Sequence, residues 1–378
     1  MKTVGIISEY NPFHAGHAYH IQEAKQRTNA DYAIVILNGD FTQRGEPAIF
    51  DKYTRAKQAL EGGADLIFEL PVRFGISSAG DFAFGGVLAL ESLGFIDTLC
   101  FGSEIGELAV LQKAADVLEK EPETFCTILS QALRQGLSFP AARSQALSAT
   151  SALDPALLKE PNNILGIEYC LALRRLSSSI EPVTIPRKGQ HYNEDTVCNP
   201  DEFPSASSLR RSICKEGTRA HLQLDDFSAV IGYSLLKAKS LHTFKDITPD
   251  LEDRIQHFLP DYTTASSLVE QCRTSAFTTG RIRRCLLQCL LGLKDTDSSM
   301  PYLRLLGMKK EASSLLSHKE NASCLILSRL AQDRKNLTPA ADTLLQQDLF
   351  ASDLYRQTWC RKYNVTLPNE YQHSPLVI

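Results

Sequence analysis

His14 and His17 frame Ala15-Gly16, and His20 follows one helical turn later. Two imidazoles at this spacing supply hydrogen-bond donors without much bulk, and Gly16 would let an anion approach the backbone closely. The chemistry that fits is transfer at a phosphate. A nucleotidyl-transfer transition state spreads negative charge over non-bridging oxygens, and donors aimed there stabilise it above the ground state. Two other uses fit the same residues: a pair of helix-start histidines satisfied by backbone groups, and a metal site built from His14, His17 and His20. The metal site lacks support, because no cysteine lies near at ligand spacing and Glu9 and Glu23 share no obvious geometry with the rings. No metal is assigned.

The elements that must position the histidines are legible around them. Thr3-Val4-Gly5-Ile6-Ile7 reads as a buried strand, and helical spacing starts at about His17, so both rings belong at the carboxyl edge of a sheet. A helix start there offers free amides and a partial positive charge to a phosphate. Further strands are expected at Tyr32–Leu37, Asp65–Leu70, Thr98–Phe101 and Glu181–Pro186. Helices are expected at Lys52–Glu61, Ala79–Leu93, Glu107–Glu119, Pro122–Leu158 and Ile164–Arg175, with Pro161-Asn162-Asn163 as a turn. This alternation predicts an α/β fold with a doubly wound parallel sheet of Rossmann type. From Leu222 onward the apolar spacing is helical and strand-like alternation is scarce. The expected division is residues 1–216 for the α/β domain and 217–378 for a helical C-terminal domain.

Composition bounds the partners. The 378 residues are 43% hydrophobic and 22% charged, as expected of a globular chain. A formal net charge of -4 argues against a surface that coats nucleic acid as a whole, but leaves room for a local basic patch. Ten cysteines without a Cys-x-x-Cys, and an N-terminus without the pattern of a signal peptide, lead us to expect reduced thiols and a cytoplasmic location. No apolar run is long enough for a bilayer, so no membrane partner is expected.

The stretch from Glu9 to His20, Glu-Tyr-Asn-Pro-Phe-His-Ala-Gly-His-Ala-Tyr-His, resembles the opening of the bacterial tRNA(Met) cytidine acetate ligase family, a branch of the HxGH nucleotidyltransferase-like superfamily. The likeness continues through Asn38-Gly39-Asp40-Phe41-Thr42-Gln43-Arg44-Gly45, Gly63–Pro71, Phe101-Gly102-Ser103-Glu104 and Pro161–Gly166. It thins into Ile185-Pro186-Arg187 and the serine-rich stretch before Arg210, and beyond Arg211 it is reduced to fragments such as Arg281-Ile282-Arg283-Arg284 and Arg304-Leu305-Leu306-Gly307.

The resemblance implies a nucleotidyltransferase-like fold and an ATP-dependent ligase. Acetate attacks the α-phosphate, pyrophosphate leaves, and acetyl adenylate passes its acetyl group to N4 of the wobble cytidine of elongator tRNA(Met). ATP is the co-substrate, acetyl coenzyme A is not the donor, and any need for Mg2+ is left open. By the same resemblance ATP contacts Ile7, Ser8, Glu9, Tyr10, Asn11, Pro12, Phe13, His14, Ala15, Gly16, His17, Ala18, Tyr19 and His20, then Gly102, Asn162 and Arg187. His14 and His17 inherit the α-phosphate role.

Where the superfamily often has Ser-Ser-Thr-x-x-Arg, this chain has Ser205-Ala206-Ser207 before Arg210. These hydroxyls and Arg210 are candidates for the outer phosphates, and an ordinary helix cap is the other reading of the serines. Asp40 and Arg44 are candidates to orient acetate or phosphate. For transfer RNA, Arg281, Arg283 and Arg284 form a compact basic group on an expected helix, with Lys237, Lys239, Lys309 and Lys310 as further cations; a solvated helix face explains them too. Two other functions fit the short motifs: a small-molecule adenylyltransferase, and a nucleotide- or RNA-binding protein without catalysis. The number of subunits is not legible.

Overall fold

The computed structural model describes residues 1–151, 153–187, 208–210, 212–213, 220–295 and 298–378. Five parallel strands form the sheet's first part: β1 (Thr3–Ser8), β2 (Tyr32–Asn38), β3 (Leu66–Leu70), β4 (Thr98–Ser103) and β5 (Glu181–Pro186). All five were expected, β5 as one further strand after the helix that precedes it. Their side chains alternate between two buried faces: Ile34 and Ile36 join one core with Phe68, Leu99 and Phe101, while Val35 and Leu37 join another with Val4, Ile6 and Ile67. Burial on both faces is why β1 to β4 read as continuous hydrophobic runs, whereas the edge strand β5 is exposed at Glu181 and Pro186.

Helices cover both sides. α1 (Ala15–Thr28) joins β1 to β2 and α2 (Lys52–Glu61) joins β2 to β3. α3 (Val72–Gly75) and α4 (Ala79–Leu93) lead to β4. α5 (Leu108–Lys120), α6 (Glu123–Arg134), α7 (Phe139–Ser151) and α8 (Pro161–Arg175) lead to β5. The order β5-β4-β1-β2-β3-β6-β7 means that the chain winds outward from β1 to β3, then crosses back to β4 on the other side of β1. The winding therefore reverses between β1 and β4. Their carboxyl ends flank the crevice where open α/β sheets bind ligands.

The C-terminal region is largely helical, with one correction. α9 (Ser228–Lys237), α10 (Pro249–Phe258), α11 (Ala265–Cys272) and α12 (Thr279–Leu291) surround a second core that includes Phe227, Ile231, Leu251, Leu268 and Leu286 and is closed by Phe41 and Ile76 from the α/β part. The chain then returns to the sheet. β6 (Tyr302–Met308) runs antiparallel to β3, and β7 (Leu325–Leu327) and β8 (Leu376–Val377) pair in parallel with β6. Between them lie α13 (Leu330–Asp333) and α14 (Pro339–Tyr363).

The sequence around Tyr302 fits either periodicity, and tertiary structure decides it. The outer edge of β3 would otherwise leave unpaired backbone groups, and Arg304 reaches the Glu69 carboxylate at 3.3 Å. The expected boundary at 216/217 lies outside the described residues.

Candidate functional site

The site begins at the first turn of α1. His14 is the N-cap, with extended φ −150 and ψ 171, and its Nδ1 accepts the Gly16 N–H at 3.1 Å. His17 reciprocates: its Nδ1 accepts the main-chain N–H of His14 at 3.3 Å, in the manner of a capping box. The two rings stack with centroids 3.7 Å apart and planes inclined by 27°. An imidazole that accepts at Nδ1 carries its neutral-state proton on Nε2, so each ring offers one Nε2–H donor. Backbone satisfaction and donor function are thus compatible, one at each nitrogen.

Charge is kept off these rings. Burial, then Arg187 and Arg210, pushes His14 down to about 4. His17 is held well below the ordinary imidazole range by burial, then by His14 and His20, then by the same two arginines. Burial and then Arg187 push His20 down to about 4, and its Nε2 is buried without a hydrogen-bond partner among the described residues. All three are neutral near pH 7. Among the described residues no group of three or more His, Cys, Asp or Glu is arranged to hold a metal ion.

The approach to α1 is fixed by its neighbours. Tyr10 is buried with left-handed φ 46, and its ring lies 5.0 Å from Phe13 and 4.8 Å from His17. Phe13 covers Gly62 so closely that a Cβ there would meet its Cζ at 2.3 Å. Phe13 is therefore a wall of the loop, anchored on α2. Asn11 Oδ1 accepts the Ile49 N–H at 2.8 Å, and Arg210 donates to the Asn11 carbonyl at 2.6 Å. Glu9 Oε1 accepts from Asn38 Nδ2 at 3.1 Å and from the Gln43 N–H at 2.7 Å. Arg55, which the sequence showed only as part of an amphipathic helix, lies fully buried under this loop and donates to the Glu9 carbonyl.

The facing wall comes from β4, β5 and α8. Gly102 pairs in register with Ile185, and a Cβ on Gly102 would lie 3.3 Å from Arg187 Cγ, so the bare glycine backs the arginine stem. Arg187 N–H donates to the Ser103 carbonyl at 3.0 Å. Glu104 caps α8 from outside the helix: its Oε1 takes the Asn162 side-chain amide at 2.5 Å and its Oε2 takes the Asn163 N–H at 2.8 Å. Asn162 accordingly stands in the first turn of a helix, where the sequence led us to expect a turn before one. The cap comes from Glu104, far away in sequence, so no local signal announced it.

Other candidates fall elsewhere. Asp40 is buried, accepts the Lys52 N–H at 2.7 Å at the start of α2, and burial raises its carboxyl to about 6; it holds the loop together. Arg44 sits on the same loop, and Ser205 and Ser207 lie outside the described residues.

The basic triplet of α12 is engaged by protein. Arg283 pairs with Glu46, Arg284 donates to the Gln43 carbonyl at 3.3 Å, and Arg281 donates to the Asp246 carbonyl at 3.3 Å. Gly45, at φ +75, packs so tightly on this helix that a Cβ would meet the Arg284 N at 2.5 Å. Arg283 and Arg284 fasten the helical region to the loop that supports Glu9, while Arg281 is held within the helical region itself. Of the lysines, Lys309 pairs with Asp65 at 3.5 Å, and Lys237 lies over the Tyr233 ring at 5.6 Å.

The model of the HIGH Nucleotidyl Transferase family matches residues 1–224 and 215–367. The tRNA(Met) cytidine acetate ligase of Acetivibrio thermocellus is 36% identical over 394 residues, covering 94% of either chain. This chain belongs to the tRNA(Met) cytidine acetate ligase family. Another family member, from Clostridium kluyveri, is 34% identical and covers 100% of this chain and 99% of its own. The crystal structure of Thermotoga maritima TmcAL bound with alpha-thio ATP matches with a TM-score of 0.87 at 26% identity, over 100% of this chain and 99% of that one. The family fold therefore extends through the helical region and β6, where sequence resemblance alone had thinned to fragments. No helix among the described residues is long and apolar enough to cross a membrane.

Proposed function

We propose that the protein is an ATP-dependent tRNA(Met) cytidine acetate ligase that activates acetate as acetyl adenylate. The observation that carries this reading is the stacked pair His14 and His17, neutral and proton-bearing at Nε2, at a helix start in the β1/β4 crevice. ATP lies along residues Ile7–His20, with Gly102, Asn162 and Arg187 on the facing wall. The two Nε2–H groups point to non-bridging oxygens of the α-phosphate, whose charge rises as the transition state forms. Arg187 and Arg210 add positive charge near the same rings, suited to pyrophosphate as it departs.

An acetate oxygen attacks the α-phosphorus, the bond to the β-phosphate bridging oxygen breaks, and that electron pair leaves with pyrophosphate. N4 of the wobble cytidine of elongator tRNA(Met) then attacks the acetyl carbonyl, the bond to AMP breaks, and the N4 proton is released. Neutral imidazoles suit the first step because they donate hydrogen bonds without binding the ground-state polyphosphate as strongly as fixed cations do.

The test is incubation with ATP, labelled acetate and unmodified elongator tRNA(Met), followed by nucleoside analysis, with and without Mg2+. Label in N4-acetylcytidine at the wobble position is the expected result, and the magnesium arm shows whether the metal accompanies ATP. Acetylation that requires acetyl coenzyme A, or a stable dinucleotide product from a phosphorylated metabolite, overturns the reading.

A further inference from the structure

Arg55 is the largest fully buried side chain among the described residues, and its charge is met mainly by main-chain oxygens. Nε donates to the Phe50 carbonyl at 2.9 Å, one terminal nitrogen to the Glu9 and Asn38 carbonyls at 2.7 Å and 2.9 Å, and the other to the Gly39 carbonyl at 2.5 Å. Among the described residues the closest carboxylate oxygen, on Asp40, is 3.9 Å away. A buried cation is costly, and an apolar residue of similar volume would hold the same space at lower cost. A planar fork with five N–H donors does something an apolar residue cannot: it ties three separate segments to one rigid plane. Those segments are the exit of β1, the exit of β2 and the lead into α2. The first continues through Tyr10, with its left-handed backbone, into His14.

We infer that Arg55 is a positioning residue for adenylate formation, holding the β1 exit so that His14 and His17 meet the α-phosphate, without touching nucleotide itself. The inference rests on the adenylating reading of the site. Its effect belongs to the transition state. The fork's hydrogen bonds go to Glu9, Asn38, Gly39 and Phe50 and to none of Gly102, Asn162 and Arg187 on the facing wall, so that wall's share of the hold on ground-state ATP persists when the fork is lost. Lysine keeps the charge but loses the planar geometry, and a displacement of about 1 Å at catalytic donors costs about a hundredfold in rate.

The experiment is acetate-dependent exchange of labelled pyrophosphate into ATP by the full chain and its Arg55→Lys and Arg55→Ala variants, with circular dichroism on each. Expected is a fall in exchange kcat of about tenfold to a hundredfold with the ATP KM within about threefold. In Arg55→Ala, guanidinium at low, non-denaturing concentration should restore part of the rate by occupying the vacated carbonyl cradle. Unchanged kcat in both variants overturns the inference. So does a loss that follows the unfolded fraction and is not rescued by guanidinium. Absence of exchange in the wild type refutes the adenylating reading instead, which keeps the two failures distinct.

Discussion

The His17 ring accepts the main-chain N–H of His14 while the His14 ring lies stacked upon it at 3.7 Å. Helix capping and donor placement are thus properties of the same pair, and a single variant can separate them. Asparagine is as good an N-cap as any residue, whereas alanine costs about 1 kcal/mol at that position. His14→Asn should therefore keep the thermal stability of the wild type yet lose the Nε2–H. Removal of one such donor costs about a hundredfold to a thousandfold in kcat. His14→Ala should show a similar rate loss with an added drop in melting temperature. Near-normal adenylate formation by His14→Asn would place the donor elsewhere.

The depressed imidazoles set a pH dependence of definite sign. An unconstrained imidazole titrates at about 6.5, whereas His14 in the fold is pushed down to about 4. On acidification the unfolded chain therefore takes up this proton first. The contribution of His14 is complete above about pH 6.5 and is lost as pH falls toward 4. Asp40, raised to about 6 by burial, acts in the opposite sense, because protonation below that pH favours the fold. A comparison of wild type with His14→Asn removes the Asp40 contribution from the difference. Melting temperatures at pH 7 and pH 5 should differ more in the wild type than in His14→Asn. Exchange activity should show no inflection near 6.5 attributable to His14, and an inflection there that His14→Asn abolishes would contradict the buried, neutral assignment.

Strands β1 to β4 were legible because both faces are buried, which leaves continuous apolar runs between glycines and polar turns. The histidine turn was legible because its cap and its chemistry share one short segment. What escaped the sequence is what distant partners decide. Tyr302–Met308 becomes a strand only because β3 presents an open edge and Glu69 awaits Arg304. Asn162 enters a helix because Glu104 caps it from another loop. Arg55 looked like any charge on an amphipathic helix, since the carbonyls it serves come from three other places in the chain. For Arg283 and Arg284 the sequence left RNA contact and a solvated helix face open, because it shows charge but not the Glu46 and Gln43 partners brought up by a distant loop.

The partners of Arg283 and Arg284 lead to a prediction that separates loop anchor from RNA contact. A phosphate-contacting arginine, once removed, weakens RNA binding and lowers the salt slope by about one. An arginine spent on the loop at 42–46 does neither. Arg283→Ala and Arg284→Ala should therefore lower melting temperature and slow tRNA-independent exchange, because Gln43 also supports Glu9. The slope of log affinity for tRNA against log salt should stay as in the wild type. A slope reduced by about one in either variant would assign that side chain to the RNA backbone.

The most direct measurement of the central claim is pyrophosphate exchange into ATP in the absence of tRNA, with acetate as the variable. Exchange that rises with acetate, saturates, and collapses in His14→Asn and His17→Asn is the result expected of an α-phosphate held by the paired rings. Exchange that ignores acetate, or that survives loss of both imidazole donors, contradicts it.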